Sequence, residues 1–179
     1  GPVNTEAGKR MLRNVSDLMD FITVRDKASY DILRDIGVTN PRMVVAADAA
    51  LCAEPSNAAD VDAIMKKLDL AVEKEILALH MNTYLNTWAK ANAEPLTRDQ
   101  FVRTYSAAIN KVIEKLDVPV LLVATQHQDV GLSREVMERL VSNKKIKLVS
   151  NVENSHYDIK GVLSRVSLLF AMRLHSMIL

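Results

Sequence analysis

The residues best suited to chemistry lie close to the end of the sequence, in Met172-Arg173-Leu174-His175-Ser176. The planar guanidinium of Arg173 suits a carboxylate or a phosphate, and the imidazole of His175 exchanges a proton near neutral pH. Ser176 adds a hydroxyl group at the expected start of a helix. Arg and His two positions apart are common by chance, but together these side chains indicate a site for a small anion with several negative charges.

A second polar cluster at 125–129 (Thr-Gln-His-Gln-Asp) directly follows an apolar run that predicts a strand. Ligands of open parallel sheets bind beyond the carboxyl ends of the strands, where helix amino termini converge. We therefore expect His127 on the same rim as Arg173. The alternative is a solvated turn in which Asp129 or Ser133 caps the next helix, and the pattern alone slightly favours it.

Histidine occurs four times, and each one lies at or just past the carboxyl end of a predicted strand: His80, His127, His156 and His175. The four side chains could share one cleft, or any of them could be an ordinary loop or packing residue. No metal site is expected, because no His-Glu-x-x-His spacing and no neighbouring thiolates occur. No glycine-rich dinucleotide or P-loop motif is present, so no cofactor is expected either.

The elements that must position these residues alternate between strand and helix periods, which is typical of parallel sheets with helical crossovers. Strands are predicted at 21–24, 43–47, 76–81, 120–124, 146–149 and 166–171. In the first half, helices are predicted over 8–17, between a cap at Asp26 and a stop at Gly37, and at 61–68, where Val61, Ile64, Met65 and Leu68 recur at helical spacing. In the second half, one helix is predicted from a Thr97–Gln100 capping box to Leu116. Two more are predicted to begin at Ser133 and at Asp158. The stretch 82–96, which contains Trp88, is long for such a connection and is expected to be a substrate loop or a packed excursion.

This pattern predicts an α/β protein with two Rossmann-like parallel-sheet halves, both incomplete. Residues 1–55 would form the C-terminal part of a first domain, 56–75 a connecting helix and linker, and 76–179 a second, donor-side domain that lacks its end. The chain starts Gly1-Pro2 and ends within an apolar run, so we expect a piece of a larger protein. Sheets that lack strands leave apolar edges uncovered, which favours self-association and inactivity of the piece alone.

Composition limits the class of protein. The chain has 23 basic and 22 acidic residues and a formal charge of +1, so no broad positive field would attract nucleic acid or an anionic membrane. No apolar run approaches the roughly 20 residues of a membrane span, and no signal peptide is evident. Cys52 is the only cysteine, which excludes an internal disulfide and suits a reducing, cytoplasmic location.

Several short segments, in order along the chain, carry a family resemblance. Residues 22–26 (Ile-Thr-Val-Arg-Asp) resemble a strand followed by Arg-Asp and a helix, and 47–51 resemble an Asp-Pro-Ala-Leu segment in which Ala49 replaces the usual Pro. Residues 126–129 resemble a loop of a second domain, and 158–165 leading to 172–176 form the closest match. By these segments the chain resembles the polysaccharide pyruvyl transferase family, which often also has Gly-Pro at the start of this region.

The resemblance implies a two-domain fold like that of glycosyltransferase-B enzymes. It also implies transfer of the enolpyruvyl group of phosphoenolpyruvate to a sugar or a lipid-linked oligosaccharide, which gives a pyruvate ketal for an exopolysaccharide. Arg173, Ser176 and His127 would then bind the donor, and His175 would bind the donor or act as general acid. Arg25 and Asp26 would lie on the acceptor side. The family's earliest first-domain strands and its final second-domain strand are absent here.

Two other classes of function stay open at this point. The first is a nucleotide-sugar glycosyltransferase or sugar epimerase of the same architecture, although no carboxylate that would hold a donor ribose is identifiable. The second is an α/β binding module without catalysis.

Overall fold

The computed structural model describes residues 3–71, 75–86, 94–141 and 146–178. The chain divides into two compact units, Gly1–Cys52 and Ala53–Leu179. Each unit contains helices and parallel strands, so the predicted α/β class is confirmed. None of the helices in the described ranges is long and apolar enough to cross a lipid bilayer.

The first unit contains two helices and a pair of parallel strands. Its elements are α1 (Glu6–Asp17), β1 (Ile22–Val24), α2 (Lys27–Asp35), β2 (Met43–Val45) and a 3₁₀ turn at Ala49–Cys52. Asp26 caps α2 as predicted, because its carboxylate accepts a hydrogen bond from the Ser29 amide at 2.7 Å. Gly37 follows α2 with φ of 91°, a backbone conformation that favours glycine.

The second unit is built on a four-stranded sheet in which every neighbouring pair of strands is parallel. Its strands are β3 (Leu77–His80), β4 (Val120–Ala124), β5 (Ile146–Ser150) and β6 (Leu168–Ala171). Its helices are α3 (Ala58–Lys67), α4 (Arg98–Leu116), α5 (His127–Met137), α6 (His156–Leu163) and α7 (Leu174–Ile178). The central strands β3 and β4 are apolar except for His80 and buried along their whole length, as expected for strands with helices on both faces.

Alternate residues of these strands pack into two separate apolar layers. Leu79 and Leu122 belong to the layer beneath α4 and α5, whereas Ala78 and Leu121 belong to the layer beneath α3 and α6. The period of two that defines a strand thus places a helix pair on each face of the sheet.

The order of the strands in the sheet is β5-β4-β3-β6. The chain moves from β3 outward to β4 and β5, and then returns to the opposite side of β3 to form β6. The connections on the two sides of β3 therefore run apart, and a crevice is expected beyond the carboxyl ends of β3 and β6. Ligands of open α/β sheets bind at such a reversal of strand order.

Two helix starts differ from the sequence prediction. The expectation that Ser133 caps a helix was wrong: α5 already starts at His127, and the buried Ser133 hydroxyl donates to the Asp129 carbonyl one turn earlier at 2.9 Å. Serine is accepted inside a helix when its hydroxyl bonds back in this way. Asp158 does not open α6 but completes a capping box with Ser155, the actual cap. The Thr97–Gln100 capping box is confirmed.

The predicted linker region contains α3, which is part of the second unit. Val61 and Met65 of α3 are buried in the same apolar layer as α6, so this helix completes a core. Residues 72–74 of the region lie outside the described residues, as do Gly1-Pro2 and residues 87–93 with Trp88 of the predicted substrate loop.

The contact between α3 and α6 gives a stability prediction. A Cβ atom at Gly161 of α6 would lie 2.3 Å from Cγ2 of Val61, so Gly161→Ala should destabilise the fold by about 1–3 kcal/mol. Gly131→Ala in α5 is the matched control, since its Cβ would lie at an ordinary contact distance of 3.4 Å from Nη2 of Arg98 and alanine favours helix by up to about 1 kcal/mol. Urea unfolding of both variants is the measurement. Equal stabilities of the two variants would contradict the packing argument.

Candidate functional site

Three segments converge beyond the carboxyl ends of β3, β4 and β6. The segment after β3 contributes Thr83 and Tyr84, the first turn of α5 contributes Asp129, and the segment after β6 contributes Arg173. The contacts among these four residues define the candidate site, which we call the Asp129–Arg173 cluster. It lies where the strand order reverses, the place where the fold is expected to bind a ligand.

The centre of the cluster is an ion pair between Asp129 and Arg173. Nε of Arg173 donates to Oδ2 of Asp129 at 2.7 Å, and Nη2 donates to Oδ1 at 3.0 Å. The Asp129 side chain is fully buried and 13% of the Arg173 side chain is exposed. Two parallel charge-assisted hydrogen bonds fix the guanidinium in orientation as well as in position.

Thr83 holds the carboxylate in place from the other side. Its backbone amide donates to Oδ1 of Asp129 at 3.1 Å, and its hydroxyl donates to the same oxygen at 3.0 Å. Burial by itself would raise the pKa of Asp129, but the hydrogen bonds from Arg173 and Thr83 outweigh burial and lower that pKa below its ordinary value. Asp129 is therefore a carboxylate at neutral pH.

An aromatic ring covers the guanidinium. Cζ of Arg173 lies 5.2 Å from the centre of the Tyr84 ring, within the range of a cation–π contact. Nε2 of Gln128 donates to the Tyr84 hydroxyl and to Oε1 of Gln126, at 2.8 Å each. The segment 126–129 was predicted as a loop but is helical from His127. It supplies the carboxylate that pairs with Arg173 and supports the ring that covers the guanidinium.

His80 lies beneath the cluster and is fully buried. Its Nε2 lies 3.2 Å from the Thr125 hydroxyl and 3.9 Å from Oδ2 of Asp129. Burial lowers the pKa of His80 to about 4, with Asp129 acting to raise it and Arg173 to lower it. The imidazole is neutral at physiological pH, so His80 adds no positive charge for an anion. Nδ1 has no hydrogen-bond partner among the described residues.

The other residues predicted near Arg173 have different surroundings. His175 is exposed on α7, and His127 is exposed at the first residue of α5. Ser176 is 1% exposed, and its hydroxyl lacks a hydrogen-bond partner within the described ranges. His156 lines a separate cavity of about 290 Å³ beyond β4 and β5. The structure thus places Arg173 at the centre of the cluster, while the donor roles of His127, His175 and Ser176 stay predictions.

Arg25 and Asp26 of the first unit both have structural partners. Nη1 of Arg25 contacts Oδ2 of Asp48 at 2.9 Å, which joins the ends of β1 and β2. Asp26 is the cap of α2, and hydrogen bonds from Ser29 lower its pKa. The two segments of the first unit that carry the family resemblance therefore meet in one ion pair, and an acceptor role for these residues stays a prediction.

Sequence reasoning missed the part that Asp129, Thr83 and Tyr84 play. A signal was present, because Asp129, Leu132, Ser133 and Val136 follow the i, i+3, i+4, i+7 spacing of a buried helix face and all four are buried. A carboxylate on such a face needs a cationic partner. Over the described parts of the chain, no three His, Cys, Asp or Glu side chains converge as they would around a metal ion.

The buried neutral imidazole of His80 gives a pH prediction. Its pKa is about 4 in the folded protein and 6.5 when exposed, so only the unfolded chain binds a proton between these values. The free energy of unfolding should therefore fall as the pH drops from 6.5 to 4, by up to about 1.4 kcal/mol per pH unit from this group. His80→Gln should remove that part of the slope, and His156→Gln, at an exposed position, should retain it. Chemical unfolding across this pH range is the test, and parallel curves for wild type and His80→Gln would contradict the assignment.

Comparison with known proteins gives one match by sequence family and several by structure. Crystal structures of HepE (Alr3699) from Anabaena, in complex with UDP and glucose, with UDP-glucose or with UDP, are similar at 14–15% identity and a TM-score of 0.46. The match covers 93% of this chain and 41–42% of theirs, so the chain spans less than half the length of these proteins. No curated protein matches the chain. The model of the polysaccharide pyruvyl transferase family matches residues 1–179, and the chain belongs to that family.

Proposed function

We propose that the full-length protein transfers the enolpyruvyl group of phosphoenolpyruvate to a sugar hydroxyl and forms a pyruvate ketal. Family membership supports a transferase of this kind. The observation that carries the proposal is the fixed guanidinium of Arg173 at the reversal of strand order, with part of its side chain exposed. A guanidinium in this place suits a small ligand that carries a carboxylate and a phosphate.

The reaction needs groups that move protons and that stabilise the leaving phosphate. Two sugar hydroxyl oxygens form bonds to C2 of the enol, the methylene carbon takes a proton and becomes a methyl group, and the C2–O bond to phosphate breaks. One hydroxyl proton balances the proton added to carbon, and the other leaves with inorganic phosphate. An acid, a base and a cation near the phosphate therefore have to be positioned together.

In this proposal Arg173 binds the carboxylate or the phosphate of the donor. Its Nε–Nη2 edge is occupied by Asp129, so the donor would contact the Nη1–Nη2 edge, through Nη1 and the second N–H of Nη2. Because Asp129 neutralises the charge of Arg173, recognition would depend on directed hydrogen bonds more than on net positive charge. Ser176 and His127 are proposed to complete the donor site, and Arg25 and Asp26 the acceptor side.

His175 is proposed as the general acid. It lies two residues after Arg173 and is exposed on α7. The buried His80, whose pKa is lowered to about 4 by burial, is neutral at physiological pH and is not available as this acid.

Arg173→Lys tests donor binding without removing the charge that partners Asp129. Lysine lacks the planar fork, so the dissociation constant for phosphoenolpyruvate should rise by about tenfold, close to 1.4 kcal/mol. Isothermal titration of the full-length protein measures this change. The matched control is Arg165→Lys, which alters an exposed Arg–Asp pair with Asp62 at 3.0 Å and should leave the affinity unchanged. Unchanged donor affinity in Arg173→Lys, or binding of nucleotide sugars but not of phosphoenolpyruvate, would refute the proposal.

The variant His175→Ala tests whether His175 is the general acid. Loss of a positioned acid or base lowers turnover by about 10²–10⁴-fold, so kcat should fall in this range while the unfolding midpoint stays near that of wild type. His156→Ala, at an exposed histidine of the same unit, is the control and should keep wild-type kcat. Phosphate release in the presence of the sugar acceptor is the measurement. A fully active His175→Ala enzyme would remove this residue from the mechanism.

A further inference from the structure

Asp129 is placed to act only through its neighbours. Oδ1 accepts hydrogen bonds from the Thr83 amide, the Thr83 hydroxyl and Nη2 of Arg173, and Oδ2 accepts from Nε of Arg173. The side chain has no exposed surface. A ligand in the crevice therefore meets Arg173 and not the carboxylate that holds it.

The contact fixes Arg173 in more than one direction. The bidentate pair sets the plane and the rotation of the guanidinium about its long axis, and the Tyr84 ring covers one face of it. Nη1 is the nitrogen that takes no part in the pair with Asp129. The Nε–Nη2 edge of the guanidinium is thus anchored in the protein, and the proposed donor would have to use the remaining N–H groups of Nη1 and Nη2.

A contribution to the free energy of folding does not by itself explain why this ion pair is buried. Removing two charges from water is costly, and buried ion pairs often contribute no more than apolar side chains of the same size. The Arg–carboxylate pairs Arg98–Glu135 and Arg165–Asp62 of the same unit have side chains about half exposed, so they avoid this cost. The buried pair occurs where the strand order reverses, which is where orientation of a ligand matters.

We infer that Asp129 is a positioning residue, which holds Arg173 by its Nε–Nη2 edge so that the Nη1 edge is fixed for the anionic donor. The inference rests on the proposed function and deepens it, because it names what sets the geometry of the donor site. Orientation errors of about 1 Å at a reacting centre lower turnover by about 100-fold. Asp129 should therefore affect kcat far more than donor affinity.

Asp129→Asn separates orientation from charge. The amide still offers an oxygen to Thr83, but an NH2 group replaces Oδ2, the acceptor for Nε of Arg173, so the bidentate contact is lost. The variant also removes one negative charge near the bound anion, which by itself favours anion binding. A positioning role thus predicts a kcat that is about 10–100-fold lower, with a KM for phosphoenolpyruvate that is unchanged or lower.

The test compares wild type, Asp129→Asn, Arg173→Lys and the double variant in the full-length protein, with Asp62→Asn as the control that breaks an exposed Asp–Arg pair. If Asp129 acts through Arg173, adding Asp129→Asn to Arg173→Lys should lower kcat by less than about threefold more. Wild-type kcat per folded molecule in Asp129→Asn would overturn the inference. The inference would also be overturned if the double variant lowered kcat by the product of the factors found for the two single variants.

A second measurement does not depend on the reaction. Hydrogen exchange at Nε of Arg173, followed by nitrogen-15 NMR, should be slow in wild type and in Asp62→Asn and at least about tenfold faster in Asp129→Asn, since the hydrogen bond to Oδ2 protects that proton. Equal exchange rates in wild type and Asp129→Asn would overturn the inference even if the transferase activity is found. If wild type released no phosphate, the proposed function would be overturned instead. The exchange rate at Nε would then still decide whether Asp129 holds Arg173 in place.

Discussion

The buried ion pair between Asp129 and Arg173 is the interaction on which the candidate site depends. A fully buried carboxylate requires several strong hydrogen bonds, and the protein supplies them from the segment after β3 and the segment after β6. The pair therefore links the segments that follow β4 and β6, the two strands that flank β3 in the sheet. The same hydrogen bonds that satisfy the buried charge of Asp129 would also set the geometry of the proposed donor site.

Much of the fold could be predicted from periodicity. The apolar runs predicted each strand that the described residues form, β1 to β6. The Thr97–Gln100 capping box and the cap at Asp26 were visible because capping is a local interaction. The start of α5 was missed because Gln126 makes no side-chain cap, so nothing local marks that boundary. Ser133 looked like a cap but occupies a buried position inside the helix.

The site was only partly predictable, for a physical reason. Arg173 was identified from its own chemistry, since a guanidinium beside the end of a strand suits an anion. Its partner Asp129 is 44 residues away in sequence and Thr83 is 46 residues from Asp129, so their contacts depend on strand order, which periodicity does not reveal. The burial of His80 depends in the same way on strands that flank β3 on both sides.

The position of β6 has a consequence for how the protein assembles. Of the four strands described in this sheet, β6 comes last along the chain, yet it pairs with β3, the first. While the nascent chain is still emerging, β3, β4 and α5 can pack together before Arg173 exists in the growing polypeptide. Asp129 then faces a core that lacks its counter-ion, which favours the protonated acid or a water-filled opening. Docking of β6 then supplies the guanidinium that stabilises the ionised carboxyl group in the buried core.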